Sequence, residues 1–499
     1  MKKTLFIKNE FILTVTSLVL RFLGIIFKVW LAAEVGSEGI GLYHLVFSVY
    51  TFVSTFASGG ITIAVTRLAA NELAVGNKDG LFKLLRRSLI ITLVISLVSF
   101  CAVLFGSDFI ALHIINDSRS SLSLAALSFS LPFMGITAVL KGYFVARRKV
   151  AVNSAAVLLE QVVRIILCLY FVRRFAPFGV GSAVAGVLLG DTLAEISSCL
   201  FTAVAFKIDC KKADFGGSAP SFKSVKEIMR ISTPITAGRY GTTLLRTIEN
   251  VLVPKALTKA GGHFNRSLSL FGSLKGMALP VLFFPSSLIG AFSSLLVPEM
   301  SEALARHQPK VIRRNVERTL KITLILGLIF SGIFFFAGQR IGDLIYHDGD
   351  SGYLIKVLAP LVPLFYLDSI SDGILKGLDQ QNFAFRNAVI DSALRILLIL
   401  LIVPRTGING FLGIMYFSNL LTFSLNVGRL IKITGARFKI FAQILIPTAA
   451  AFGITASMNT LLNKISDDLL FVAAYSGLSV ILYVGFLVVF KIVDVREYV

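Results

Sequence analysis

Two pairs of basic residues lie inside long apolar stretches of the sequence, where a charge is costly. Arg21 and Lys28 form one pair, Arg239 and Arg246 form the other, and the members of each pair are seven residues apart. Seven residues are close to two helical turns, so each pair projects from one helix face. Together with Lys275, these cations predict a central cavity suited to an anionic substrate. Scattered ion pairs with acids on other helices are the alternative.

Two further basic residues of the apolar stretches have an acid four positions before them. Glu160 precedes Arg164, and Asp391 precedes Arg395. An acid placed N-terminal to a base at this spacing favours an ion pair along one helix face. We interpret both as ion pairs that are either structural or line the cavity.

Two pairs of acids also lie within apolar stretches, Asp191 with Glu195 and Asp368 with Asp372. Two carboxylates one helical turn apart repel each other unless they are protonated or share a cation. These four residues are therefore the candidates for a coupling Na⁺ or H⁺ site. Pairing with the basic residues, or a position near a membrane face, is the alternative explanation.

The composition places all these charges on membrane-spanning helices. Of the 499 residues, 55% are hydrophobic and 15% are charged, whereas a soluble domain has about 25% charged residues. A soluble chain could not bury so much apolar surface, which excludes a soluble enzyme, a disordered chain and a secreted disulfide scaffold. The net charge of +21 does not indicate nucleic-acid binding in so apolar a chain. We predict an all-α polytopic membrane protein.

Charged residues and Gly, Pro, Asn and Asp clusters divide the chain into about fourteen apolar segments. They are residues 11–33, 41–65, 88–112, 121–146, 151–172, 179–206, 229–254, 268–298, 322–339, 353–375, 384–403, 408–428, 440–461 and 469–490. Alternate connections carry roughly three times as many Lys and Arg residues as the others. This bias predicts a protein of the cytoplasmic membrane with both termini in the cytoplasm.

The two halves of the chain share three features in the same order. Each half has a cation pair, then a Leu-Lys-Gly sequence, then an acid and an arginine at i,i+4. This repetition predicts two pseudo-symmetric six-helix lobes related by an axis along the membrane normal, followed by a C-terminal hairpin. The predicted lobes are 1–207 and 229–434, with a cytoplasmic linker at 208–228 and appended helices at 435–499.

Motifs for covalent chemistry are missing from the sequence. It contains no Walker motif, no zinc-binding spacing and no Ser/His/Asp constellation. We therefore predict no catalytic residue, no metal site and no cofactor, and expect a protein that is not an enzyme and acts as a monomer.

The sequence resembles the stage V sporulation protein B group of polysaccharide exporters, within the multidrug/oligosaccharidyl-lipid/polysaccharide superfamily. The matching motifs are Arg21–Gly24 through Lys28, Gly36–Tyr43, Gly142–Phe144, Glu160–Ile165, Gly272–Pro280, Pro285, Val297–Glu302, Ala359–Pro360, Leu375–Gly377 and Arg386–Ile396. The resemblance implies fourteen helices in two six-helix lobes that move lipid-linked sugar precursors by alternating access. It places Arg21 and Lys28 on basic positions of the pattern, whereas Lys275 stands where the pattern has a small polar residue.

We accordingly expect a flippase for a lipid-linked anionic saccharide, serving cell-wall or spore-cortex peptidoglycan or another surface polysaccharide. Its partners would be that substrate, membrane lipids and a coupling Na⁺ or H⁺, with no nucleic acid. A cation-coupled multidrug antiporter is the alternative, although its cationic substrates suit a basic cavity poorly. A membrane-embedded transferase would need a catalytic cluster and a channel would need a filter segment, and the sequence shows neither.

Charge reversal tests the cationic cavity. We expect Arg21→Glu or Arg239→Glu to abolish transport without loss of folding, because either would repel an anionic substrate. Export of the lipid-linked sugar by reconstituted protein measures the effect, and size-exclusion chromatography checks folding. Wild-type export by either variant would contradict the cavity assignment.

Overall fold

The computed structural model describes residues 2–212, 225–286, 299–437, 441–490 and 492, and within these ranges the regular backbone is helical throughout. An α-helix satisfies its backbone hydrogen bonds within its own segment, which a hydrocarbon environment requires. The predicted all-α class is confirmed.

The chain divides into two compact units, Met1–Val251 and Leu252–Val499. The helices of the first unit are α1 (Lys2–Ser58), α2 (Ile61–Ala74), α3 (Lys78–Phe109), α4 (Ser120–Ser128), α5 (Ser130–Ala146), α6 (Val150–Phe175), α7 (Val180–Lys212) and α8 (Val225–Lys259), of which α8 continues past the unit boundary. A π-helical turn, Ile110–Ile115, extends α3.

The described residues of the second unit are also helical. Its helices are α9 (Phe264–Gly272), α10 (Leu279–Phe283), α11 (Pro309–Tyr346), α12 (Gly349–Leu358), α13 (Val362–Gly377), α14 (Gln381–Thr434), α15 (Ile446–Leu462) and α16 (Asp468–Val489). π-Helical turns at Ser273–Ala278 and Phe441–Leu445 join α9 to α10 and precede α15.

The predicted apolar segments agree with these helices. The fourteen fall on described helical residues to within a few positions, although four of them, 41–65, 121–146, 268–298 and 353–375, divide between two helices, and residues 287–298 and 440 are outside the described residues. In the described part of the chain, nine stretches are long and apolar enough to cross a membrane. The predicted linker at 208–228 includes residues 213–224, which are also outside the described residues, and the lobe boundaries stay a prediction.

Two of the helices are long because each contains two predicted segments joined at a glycine. Gly36 in α1 has φ 67° and Gly407 in α14 has φ 63°, so the backbone leaves the helical conformation at both points. Positive φ is strained for residues with a Cβ, and glycine adopts it freely. The chain bends at these two positions and continues as helix.

Small residues let the helices of the first unit approach closely. Thr62 of α2 donates a hydrogen bond to the Ala138 carbonyl of α5 at 3.1 Å, and Thr66 donates to the Gly142 carbonyl at 3.2 Å. A Cβ at Gly142 would lie 2.9 Å from the Thr62 carbonyl oxygen. Since lipid is as apolar as a leucine side chain, such packing and interhelical hydrogen bonds hold membrane helices together.

Large apolar side chains cover the outside of the molecule. Phe105 is 83% exposed, Phe178 is 70% exposed and Val489 is 76% exposed. Contiguous apolar surface of this kind is unfavourable in water and favourable against hydrocarbon. The exposed apolar side chains agree with a multi-pass membrane protein.

Helix packing in the second unit can be tested at Gly342 of α11. A Cβ there would overlap the Gly352 backbone of α12, whereas a Cβ at Gly453 of α15 would meet open space. We expect Gly342→Ala to destabilise the protein by about 1–3 kcal/mol through overpacking, and the matched control Gly453→Ala to leave stability unchanged or higher. Thermal unfolding in detergent measures both, and equal melting temperatures would contradict the close contact.

Candidate functional site

The first unit contains a polar cavity of about 520 Å³. Its charged lining residues are Lys141 on α5, Glu160 on α6, Glu195 on α7 and Arg239 on α8. Most of its other lining residues carry hydroxyl groups; they are Thr51, Ser54, Thr55, Ser58, Thr62, Thr137, Thr242 and Thr243. The cavity therefore offers fixed charges beside a surface of hydroxyls.

A stripe of hydroxyls on α1 forms one wall of the polar cavity. Thr51, Thr55 and Ser58 recur at three- to four-residue spacing, which places them on one helix face. Thr55 donates to the Thr51 carbonyl at 2.7 Å, and Ser58 donates to the Ser54 carbonyl at 3.0 Å. Because each proton is already donated to the backbone, the oxygen lone pairs are left to accept hydrogen bonds from a ligand.

Arg239 lies where α8 contacts the end of α1. Its Nη1 donates to the Gly59 carbonyl oxygen at 2.8 Å. Thr243, one helical turn further along α8, also lines the cavity. Thr247, two turns further along, donates a hydrogen bond to the Ser48 carbonyl at 3.0 Å. Since the carbonyl is neutral, this hydrogen bond orients the guanidinium without neutralising its charge.

The acid on α6 belongs to a chain of ion pairs that ties α5, α6 and α7 together. Lys141 Nζ is 4.0 Å from Glu160 Oε2, Arg164 Nη2 is 3.0 Å from Glu160 Oε1, and Arg164 Nε is 2.9 Å from Asp191 Oδ1. The Tyr43 hydroxyl of α1 lies 3.5 Å from Asp191 Oδ2. The side chain of Asp191 is only 7% exposed, and an unpaired charge at such a position is strongly destabilising.

The predicted cations do not all line the polar cavity. Arg239 does, whereas Arg21 and Lys28 on α1 and Arg246 on α8 are exposed and lie outside its described wall. Lys275 is half-buried in the π-helical turn of the second unit. A shared role for the five stays a prediction.

The two predicted acid pairs occupy different surroundings. Asp191 is paired with Arg164, while Glu195, four residues later, lines the polar cavity. In the second unit, Asn426 Nδ2 donates to Asp368 Oδ1 at 2.8 Å, and Asp372 forms an ion pair with Lys376.

The second predicted acid–arginine pair lies on α14. Asp391 accepts a hydrogen bond from Ser418 of the same helix, across the Gly407 bend, and Arg395 is half-buried one turn beyond Asp391. The bend in α14 thus brings its two helical arms together at Asp391.

Sequence reasoning overlooked two parts of the polar cavity. Lys141 was predicted only as part of the repeated Leu-Lys-Gly sequence, yet this residue lines the cavity beside Glu160. The hydroxyl stripe on α1 was not predicted. The regular spacing of Thr51, Thr55 and Ser58 in an apolar helix is a signal that would have found it.

Comparison with known sequences gives one family and one relative of note. A family model described as polysaccharide biosynthesis protein matches residues 6–304. Stage V sporulation protein B of Bacillus subtilis (strain 168) is 29% identical over 419 residues, which cover 83% of this chain and 80% of that protein.

Solved structures agree with the fold. The lipid II flippase MurJ in an inward closed conformation superposes with a TM-score of 0.73 at 15% identity, covering 95% of this chain and 98% of that chain. An inward-facing multidrug resistance MATE family transporter of the MOP superfamily gives a TM-score of 0.67 at 14% identity, covering 85% of this chain and 100% of that chain. The fold is that of these polytopic membrane transporters.

Substitution of Arg164, the central residue of the ion-pair chain, tests how much these ion pairs stabilise the protein. We expect Arg164→Gln to destabilise the protein by about 3–5 kcal/mol, because it removes the ion-pair contact of the buried Asp191 and leaves Glu160 with only the more distant Lys141. The double variant Arg164→Gln/Asp191→Asn should regain part of the lost stability. Thermal unfolding in detergent is the measurement.

The matched control is an exposed ion pair of the second unit. Arg306 and Glu302 are 65% and 60% exposed, so Arg306→Gln should change stability by less than about 1 kcal/mol. If Arg164→Gln changed stability as little as this control does, the buried ion pairs would not stabilise the protein.

Proposed function

Because this chain belongs to the polysaccharide biosynthesis protein family, we propose that it is a flippase for an anionic lipid-linked saccharide precursor in the cytoplasmic membrane. The similarity to stage V sporulation protein B and the fold shared with the lipid II flippase support this proposal. Transport proceeds by alternating access, with the lipid tail in the bilayer and the headgroup in the protein.

The polar cavity is the observation that carries the proposal. Arg239 is hydrogen-bonded to the neutral Gly59 carbonyl, so its charge is available to a phosphate oxygen. Thr51, Thr55 and Ser58 offer lone pairs to sugar hydroxyls. A substrate in which an anionic group is joined to a polyhydroxylated group matches a site that places one oriented cation beside a wall of hydroxyls.

The acids of the cavity do not cancel this attraction. Glu160 is compensated by Arg164 at 3.0 Å and by Lys141 at 4.0 Å. The remaining carboxylate, Glu195, is one of the groups we propose for ion coupling, with Asp191, Asp368 and Asp372. A coupling cation or proton at Glu195 would leave Arg239 to the substrate.

The other predicted cations share the proposed role of Arg239. We propose that Arg21, Lys28, Arg246 and Lys275 also bind the pyrophosphate of the substrate. With both termini in the cytoplasm and the interior negative, outward movement of each net negative charge gains about 2.3 kcal/mol per 100 mV. The membrane potential therefore helps to drive export by the monomer.

The relatives support a proposal for the substrate class. A precursor of cell-wall or spore-cortex peptidoglycan, or of another surface polysaccharide, on an undecaprenyl pyrophosphate carrier meets the requirements of the cavity. The named relatives are a sporulation protein and a lipid II flippase, which favours the peptidoglycan precursor.

Reconstituted transport tests the role of Arg239. We expect Arg239→Gln to slow the flipping of lipid II in proteoliposomes by roughly ten- to a hundredfold, since a hydrogen bond to a charged group is worth about 1.5–3 kcal/mol. Arg239→Lys, which keeps the charge, should retain intermediate activity. Arg266→Gln, at an exposed ion pair with Asp350, is the control and should transport normally.

A cation-coupled drug antiporter is the second candidate, favoured by Glu195 in the cavity and by the shared MATE fold. Native mass spectrometry of the purified protein separates the two. Retention of lipid II that is lost in Arg239→Gln supports the flippase. Retention of cationic drugs alone, lost in Glu195→Gln, would overturn it.

A further inference from the structure

An apolar groove of about 480 Å³ lies in the second unit. It is formed by parts of α11 and α13, the last turns of α14 and the π-helical turn before α15. Ser424, Gly428 and Ile431 of its wall are exposed, so the groove opens on the outer surface of the unit. Its larger apolar side chains are Leu324, Leu367, Phe423, Val427, Ile431 and Ile444.

A lysine with an uncompensated charge lines this apolar groove. Lys321 of α11 is half-buried and is the charged residue among the described lining residues. Glu317, one helical turn before it, has the spacing that favours an ion pair with Lys321. Glu317 instead accepts hydrogen bonds from Arg313 Nε at 2.9 Å and from the Arg437 backbone N–H at 2.7 Å. Within the described part of the chain, the Lys321 ammonium has no ion-pair or hydrogen-bond partner.

The position of Lys321 along α11 matches the headgroup level of a bilayer. Lys321 directly precedes the predicted apolar segment 322–339, and the stretch 306–318 before it is rich in Lys and Arg, which favours the cytoplasmic side. Leu367 lies eight residues before the end of the predicted segment 353–375, which is about 12 Å inside it. The cation therefore lies at the interface, and the apolar wall extends to the depth of the acyl chains.

We propose that this groove binds an anionic glycerophospholipid of the cytoplasmic leaflet, phosphatidylglycerol, with its phosphate at Lys321 and an acyl chain along the apolar wall. Basic pockets between membrane helices on the cytoplasmic side recognise anionic lipid headgroups in this manner. The inference goes beyond the proposed function, because it concerns a resident lipid of the bilayer rather than the transported one.

The headgroup decides which lipid binds. An acyl chain that enters the groove from the bilayer exchanges one apolar environment for another, so the hydrophobic effect does not select it. The attraction between Lys321 and a net negative headgroup does select. Phosphatidylethanolamine carries its own ammonium beside the phosphate, which cancels most of that attraction.

The groove is chemically separate from the site proposed for the transported substrate. None of the cations that we propose for the pyrophosphate is among its described lining residues. One lysine at the interface suits a single phosphodiester. A lipid bound there contacts α11, α13, α14 and the turn before α15, so its binding stabilises the folded state by mass action.

Native mass spectrometry of delipidated protein with equimolar phosphatidylglycerol and phosphatidylethanolamine tests the headgroup preference. We expect the wild type to retain phosphatidylglycerol and Lys321→Met to bind it roughly tenfold more weakly, because a hydrogen bond to a charged group is lost. Lys321→Arg keeps the charge and should keep the preference. Lys310→Met, at an exposed lysine of the same helix, is the matched control and should bind as the wild type does.

Two glycines of α14 test the location. A Cβ at Gly428, in the groove wall, or at Gly413, outside it, would meet open space. Gly428→Phe fills the groove, and we expect it to lose both the binding of phosphatidylglycerol and the rise in melting temperature that this lipid causes in detergent. Gly413→Phe is the matched control and should keep both.

Three outcomes would overturn the inference. The first is equal retention of phosphatidylglycerol and phosphatidylethanolamine by the wild type. The second is wild-type binding of phosphatidylglycerol by both Lys321→Met and Gly428→Phe, which would place the lipid elsewhere. The third is displacement of the bound phosphatidylglycerol by equimolar undecaprenyl pyrophosphate, which would assign the groove to the transported lipid.

Discussion

The cost of an unpaired charge away from water constrains this protein more than any other single factor. In the first unit that constraint is met by the chain Lys141–Glu160–Arg164–Asp191, whose contacts of 2.9–4.0 Å join α5, α6 and α7. The ion pairs fix the helices that carry Lys141, Glu160 and Glu195 into the polar cavity. The geometry of the cavity therefore depends on the whole network, of whose four members Lys141 and Glu160 line the cavity.

Arg239 is held in a different manner, and the difference suits a binding role. Arg239 donates its described hydrogen bond to the Gly59 carbonyl, at the joint where α1 ends and α2 begins. A carboxylate would orient the guanidinium and also neutralise it, whereas a carbonyl orients it and leaves the positive charge. A Cβ at Gly60 of this joint would overlap the Ser232 backbone, so the absence of a side chain there lets α8 approach closely.

Composition and residue periodicity predicted the fold well because the membrane reduces the choices. A run of about 20 apolar residues has to be helical in hydrocarbon. Segment 121–146 accordingly coincides with the apolar stretch Ser120–Ala146, and segment 384–403 lies within α14. The candidate site was predicted only in part. Arg239 was predicted as a costly charge and Glu160 as the ion-pair partner of Arg164. Lys141 was predicted only as part of a repeated Leu-Lys-Gly sequence, and the hydroxyls of α1 were not predicted because threonine and serine are common in membrane helices.

The sequence by itself determined the helical class and the set of charges that need a polar environment. These follow from local composition, since burial in hydrocarbon acts on each segment separately. Only the tertiary structure decided which charges meet. Arg164 is four residues from Glu160, a spacing visible in the sequence, but its contact with Asp191 crosses from α6 to α7. Likewise, the pairing of Arg239 with Gly59 spans 180 residues, and such contacts depend on helix packing rather than on helical spacing.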